Sequence, residues 1–187
     1  MTLMKRGTNV ALSREIADLN GVVVGVRFVA GSERTLTDNL VVAAILCDST
    51  SRALSDQHFV FFNQLTSPDL SVSQLSEVLG EDNEQVEIDL LRVPPEIFRI
   101  VIAVYLNEGT GRRRTLGQLR HCSIRLMSMP NNSELVRSEN LASVLRDETA
   151  LVLGEMYRHK DGWKFRVIGD GYPTGIAGVA ADYGIPL

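Results

Sequence analysis

Several features that would announce a partner are missing from this chain of 187 residues. It has no basic excess. Its 19 lysines and arginines stand against 23 acidic residues, a net charge of −4, whereas a dedicated nucleic-acid binder usually carries surplus positive charge. No nucleic acid is therefore expected among its partners, and the balance mildly favours cations. No apolar run approaches the ~20 residues a membrane helix needs, so no transmembrane segment is expected. The start, MTLMKRGTNVALSRE, has no apolar stretch of the signal-peptide kind. Cysteine is scarce as well: Cys47 and Cys122 each lie in or beside an apolar run. Without a secretory start the expected compartment is the cytoplasm, where thiols stay reduced, and the plain reading of both cysteines is buried core.

The chemistry-bearing motifs are equally thin. The three histidines, His58, His121 and His159, stand at no metal spacing, and neither HExxH nor a zinc pattern occurs. His121-Cys122 makes only half a zinc site. There is no GxSxG elbow and no P-loop. Gly169, Gly171 and Gly175 mimic a dinucleotide fingerprint, but no βαβ unit surrounds them, so they read as loop glycines. No catalytic residue emerges, and the chain is not expected to be an enzyme. One basic tip stands out: Arg112, Arg113 and Arg114, flanked by Gly109, Gly111 and Thr115. It reads as a solvated turn, or as a contact for a small anion, a phosphate-bearing ligand or an acidic lipid, since clustered arginine suits phosphate geometry.

What is present is a period of two. Residues 21–28 read GVVVGVRF, and 85–90 read QVEIDL, alternating apolar and acidic. Residues 40–47 (LVVAAILC) and 100–106 (IVIAVYL) are continuous apolar runs of the kind seen in strands buried on both faces. HFVFFN at 58–63 and SIRL at 123–126 add two more strands. Residues 150–158 and 163–168 form a hairpin turning at Asp161-Gly162, with Trp163, Phe165 and Val167 on one face. Helix is scarce: a single turn opened by Pro94-Pro95, a candidate at residues 73–79, and the clearest at 174–183, where Ile176, Val179 and Ala180 recur at helical spacing. Eight to ten strands, few short helices and no repeat or linker predict one mainly-β domain over 1–187, an antiparallel β-sandwich with a C-terminal helix.

Oxygen-bearing side chains gather at predicted strand ends. Glu81-Asp82-Asn83-Glu84 precede a strand, and Asp56 and Asn63 flank HFVFFN. Asn39 opens LVVAAILC, and Glu108 follows IVIAVYL beside Asn107. Strand ends of a sandwich meet at two poles, so several of these can converge. Ca²⁺ takes about six to eight hard oxygens of these types. The plainer alternative is acidic loops that serve solubility. No EF-hand loop is present.

The chain resembles the TerD-like family of tellurium-resistance and stress-response proteins. The resemblance runs from Gly7-Thr8-Asn9-Val10-Ala11-Leu12 through Leu54-Ser55-Asp56, His58 to Gln64 and Ser67-Pro68-Asp69. It continues in residues 82–90, Val93-Pro94, Gly117-Gln118, LGEMYRHKDGWKFRVIGDGY at 153–172, Gly175-Ile176-Ala177 and Asp182-Tyr183-Gly184. It implies a β-sandwich that binds calcium through acidic loops at one end, serves resistance to tellurite and other stresses, and has no established catalytic activity. By position it carries the calcium site to Asp56, Asn63 and Asp82, Asn83 and Glu84. Two departures weaken it. Asn39-Leu40-Val41-Val42-Ala43 stands where the family usually has Asp-Leu-Asp-Ala-Ser, and LSVSQLSEVL at 70–79 is shorter and poorer in acid than the usual loop. Affinity for Ca²⁺ falls with lost ligand charge, so the expectation is a weakened site or a lost one. Expected partners are Ca²⁺ and other stress-response proteins. A structural role in a membrane-associated complex, through peripheral association, is the remaining alternative.

Overall fold

The computed structural model describes residues 2–12, 19–32, 34–107, 114–129 and 131–187. Its strands are β1 (Thr2–Met4), β2 (Asn9–Ala11), β3 (Gly21–Val29), β4 (Leu40–Cys47), β5 (Phe59–Val60), β6 (Val72–Gln74), β7 (Glu84–Asp89), β8 (Arg99–Leu106), β9 (His121–Ser128), β10 (Glu134–Ser138), β11 (Ala150–His159) and β12 (Gly162–Tyr172). Among the described residues the helices are α1 (Arg34–Asp38) and α2 (Ile176–Tyr183), with short 3-10 turns at Asp56–His58, Leu116–Gln118 and Leu141–Val144. Two six-stranded sheets form a sandwich, one ordered β1-β10-β9-β3-β7-β6 and the other β2-β12-β11-β8-β4-β5. Every pairing is antiparallel except β1 beside β10, which is parallel.

The second sheet is buried on both faces, which is why its central strands read as unbroken apolar runs. On β8, Ile100, Ile102 and Val104 enter the core between the sheets, while Val101, Ala103 and Tyr105 belong to a second core outside. On β4, Val42, Ala44 and Leu46 face inward and Ala43, Ile45 and Cys47 outward. Val179, Ala180 and Ile185, on and just after α2, close that outer core with Phe59. The helix stops at Gly184, whose left-handed backbone (φ 67°) glycine tolerates best, and the Ile185 N–H donates back to the Ala180 carbonyl.

Three expectations shift in the structure, and the single turn at Pro94-Pro95 stays a single turn. Residues 73–79 do not form a helix. Val72–Gln74 is an edge strand against β7, because Gln74 pairs with Val86 across the sheet. The turn at Pro94-Pro95 closes through one bond, Ile97 N–H to the Pro94 carbonyl, and goes no further. The strand in HFVFFN covers only Phe59–Val60, after which Phe61 and Gln64 close a tight turn. The hairpin turn holds Lys160-Asp161, one residue earlier than its sequence signal. His159 pairs with Gly162, and Lys160 takes the left-handed backbone (φ 54°). That register keeps Trp163, Phe165 and Val167 in the inter-sheet core.

Both cysteines are core residues, as expected: Cys47 lies in the outer core and Cys122 in the inner one. Burial pushes each thiol up to about 12. At pH 8 so little thiolate exists that the native thiols should react with a disulfide reagent about a thousandfold more slowly than in the unfolded chain. A reagent time course with and without denaturant checks this, and rapid labelling of the native protein would contradict it.

Candidate functional site at one mouth of the sandwich

Three strand ends meet at one mouth of the sandwich. Asp38 ends α1, and Asn39 follows it at the entry to β4. Asn39 donates its backbone N–H to the Leu36 carbonyl and its side-chain nitrogen to the Thr35 carbonyl at 2.7 Å, so its Oδ1 is the atom left to accept. Asn107 leaves β8 on the neighbouring strand, tied to the same corner by its N–H donating to the Asn39 carbonyl at 2.8 Å. Glu84 opens β7 opposite Val26, a core-facing residue, so its carboxylate points between the sheets where the core gives way to solvent. Gln74 on β6 donates its Nε2 to Glu84 Oε2 at 3.2 Å, and Gln74 Oε1 is buried without a partner. These residues, with Leu40, Val41, Val42 and Phe62, line a depression of about 290 Å³.

The donor set is two carboxylates, Asp38 and Glu84, and three amides. Burial raises the Glu84 carboxyl above its ordinary range, and the hydrogen bond from Gln74 offsets that only in part. A half-buried carboxylate with no cationic neighbour in the depression among the described residues is where a cation would gain most. Among the described residues no three His, Cys, Asp or Glu side chains stand together as metal ligands. A calcium ion here would draw on amide and carbonyl oxygens around one or two carboxylates, a set of low charge. The residues therefore fit a weak site, and orphaned Gln74 Oε1 is the atom that most lacks a partner.

The other sequence-predicted ligands are dispersed. Asp56 is exposed at the start of its 3-10 turn, and Asn63 is exposed in the tight turn next to Phe62, beside the depression but not lining it. Asp82 is held by Arg125 on the outer face of the first sheet. Asn83 accepts the Phe28 N–H at 2.8 Å, a structural tie between β3 and the approach to β7. Glu108, Arg112 and Arg113 lie outside the described residues. Arg114 is half-buried at the approach to the Leu116–Gln118 turn. Asp38, Gln74 and Phe62 were missed in the sequence reading. The signal for Asp38 was its place one residue ahead of Asn39, whereas Gln74 fell in a stretch read as helical.

The remaining polar motifs are structural. His121 and Cys122 are successive residues of β9 and so point to opposite faces, which rules out one shared metal. His121 Nε2 is hydrogen-bonded to Ser123 Oγ at 2.8 Å, and burial, then the charges of Arg27 and Arg137, lower its pKa. Asp69 closes its own turn by accepting from Ser67 Oγ, Ser71 N and Ser71 Oγ. Burial raises its carboxyl, but those bonds, first from Ser71, outweigh it and the net shift is downward. No helix among the described residues is long and apolar enough to cross a membrane.

A TerD domain profile matches residues 1–183. The chain is 37% identical to tellurium resistance protein TerD of Serratia marcescens, over 97% of this chain and 96% of that protein. It is 32% identical to general stress protein 16U of Bacillus subtilis, over 98% and 97% of the two chains. A crystal structure of a homologue of telluride resistance protein (TerD) from Streptomyces coelicolor A3(2) superposes with a TM-score of 0.66. It covers 87% of this chain and 95% of that one at 19% identity, and so supports the fold alone. The end-to-end match, together with a sandwich of the same kind, makes this chain a member of the TerD domain family, whose relatives are named for tellurium resistance and stress response.

Proposed function

We propose that this chain is a non-catalytic, cytoplasmic stress-response module that takes one calcium ion weakly at the mouth of the sandwich, through Glu84 and Asp38 with the amide oxygens of Asn39 and Asn107. Other stress-response proteins would be its partners. The observation that carries this reading is the half-buried Glu84 carboxylate, lifted in pKa, in a depression whose other polar groups are oxygen donors and which, among the described residues, holds no arginine or lysine. Low ligand charge places the expected Kd at about 10⁻⁴–10⁻³ M.

Calorimetric titration and melting curves test it together. At calcium tenfold above Kd, mass action should stabilise the fold by about 1.4 kcal/mol, roughly 3–5 °C in midpoint for a chain of this size. Glu84→Gln should abolish that shift without lowering the metal-free midpoint, because burial already disfavours the charged form of Glu84. An unchanged midpoint together with no heat in millimolar calcium would sink the calcium reading.

A further inference from the structure

The acidic run at residues 82–84 does not act as a unit: Glu84 faces the sandwich mouth, Asn83 ties down Phe28, and Asp82 lies on the opposite, outer face of the first sheet. There its side chain is 3% exposed. Arg125 Nε donates to both carboxylate oxygens at 3.0 Å, and Nη2 donates to Oδ2 at 2.8 Å. Gln85 Nε2 adds a fourth bond to Oδ2 at 2.8 Å. The same Gln85, 1% exposed, spans the loop by donating to the Leu79 carbonyl and accepting the Leu79 N–H. Arg125 Nη1 reaches on to Glu134, which Arg137 also holds.

Two glycines make room for this cluster. A Cβ on Gly25, in mid-strand, would stand 2.1 Å from Asp82 Oδ2. Gly80 takes a backbone (φ +78°) that side chains rarely adopt, and a Cβ there would stand 3.1 Å from Arg125 Nη2. The bidentate fork and the amide together saturate the buried carboxylate. A cation bound to Asp82 would have to displace a guanidinium that is also paired with Glu134.

We infer that Arg125 does at Asp82 what the family resemblance assigns to a metal: it neutralises the carboxylate and closes the 75–83 loop, so that this corner is ordered without calcium and Asp82 is withheld from any ion. The acidic run is thereby divided between an internal guanidinium on the outer face and whatever cation reaches Glu84 at the mouth. The inference stands whether or not calcium binds at Glu84.

Amide hydrogen exchange tests it. The amides of Leu75, Leu79 and Asn83 donate within this corner, to the Gln85 carbonyl, Gln85 Oε1 and the Val26 carbonyl. In the wild-type chain their exchange should be the same in EGTA and in millimolar calcium. In Arg125→Ala it should speed up about tenfold or more, and in the milder Arg125→Lys, whose single ammonium cannot span both oxygens, by less. If Arg125→Ala does not fold, Arg125→Lys decides. Calcium-dependent protection of these amides in the wild type, or unchanged exchange in both variants that fold, would overturn the inference. Failure of calcium to bind at the mouth would show as absent calorimetric heat, with these rates untouched.

Discussion

Replacing Phe165 by alanine should cost about 4 kcal/mol of folding stability, within the range found for buried aromatic truncations. The ring is fully buried in the inter-sheet core, on the β12 face that it shares with Trp163 and Val167. Its far edge comes close to the backbone of β11: a Cβ added at Gly154 would stand 3.0 Å from Phe165 Cζ. Glycine at 154 thus provides the space that the ring fills, and it has no side chain to move in when the ring is gone. Domains are stable by about 5–15 kcal/mol, so the variant should unfold at a much lower urea midpoint with an unchanged slope. Phe98→Ala is the control, since Phe98 is 41% exposed and its loss should cost far less. Equal costs at the two positions would contradict this account of the Phe165 ring in the inter-sheet core.

Arg158→Ala should be the second large loss, about 2–3 kcal/mol, with allowance for the water that reaches a half-buried guanidinium. Residues 91–98 pass through Pro94 and Pro95, which have no N–H to donate, and their carbonyls look elsewhere for partners. Arg158 supplies them: Nε donates to Ile97 O at 2.8 Å, and Nη2 to Val93 O and Pro94 O at 3.0 Å each. The guanidinium also stacks 4.4 Å over the Trp163 ring. Lysine has no planar fork, so Arg158→Lys should recover less than half of the loss. Urea denaturation gives the magnitude, and faster exchange of the Ile97 and Phe98 amides locates it in this loop. A loss confined to other parts of the sheet would contradict the assignment.

Much of the second sheet was legible from sequence, for a physical reason. A strand buried on both faces needs apolar residues at every position, so LVVAAILC and IVIAVYL stand out without reference to any partner. The hairpin was legible because its inward and outward faces alternate, and the C-terminal helix because Ile176, Val179 and Ala180 share one face. The edge strands β1, β2 and β6 were not, because three residues carry too little pattern to distinguish a strand from a loop. The hairpin turn was misplaced by one residue for a related reason. Asp-Gly is the stronger local signal, but pairing β11 with both β8 and β12 imposes the register, and Lys160 takes the left-handed conformation instead.

The candidate site divides the same way. Its residue types were visible, since Asn39, Asn107 and Glu84 stand at strand ends and strand ends meet at the poles of a sandwich. Their company was not. Asp82 and Glu84 look equivalent in a sequence row, yet one is locked to an arginine 43 residues away and the other faces the mouth. By itself the sequence determined a β-sandwich, its buried cysteines and its apolar central strands, because those follow from local periodicity and composition, while its motifs carried the resemblance to the TerD family. Only the tertiary structure decided which acids remain available to a cation, because that depends on which face of a strand each one leaves from and on what the neighbouring strand presents there.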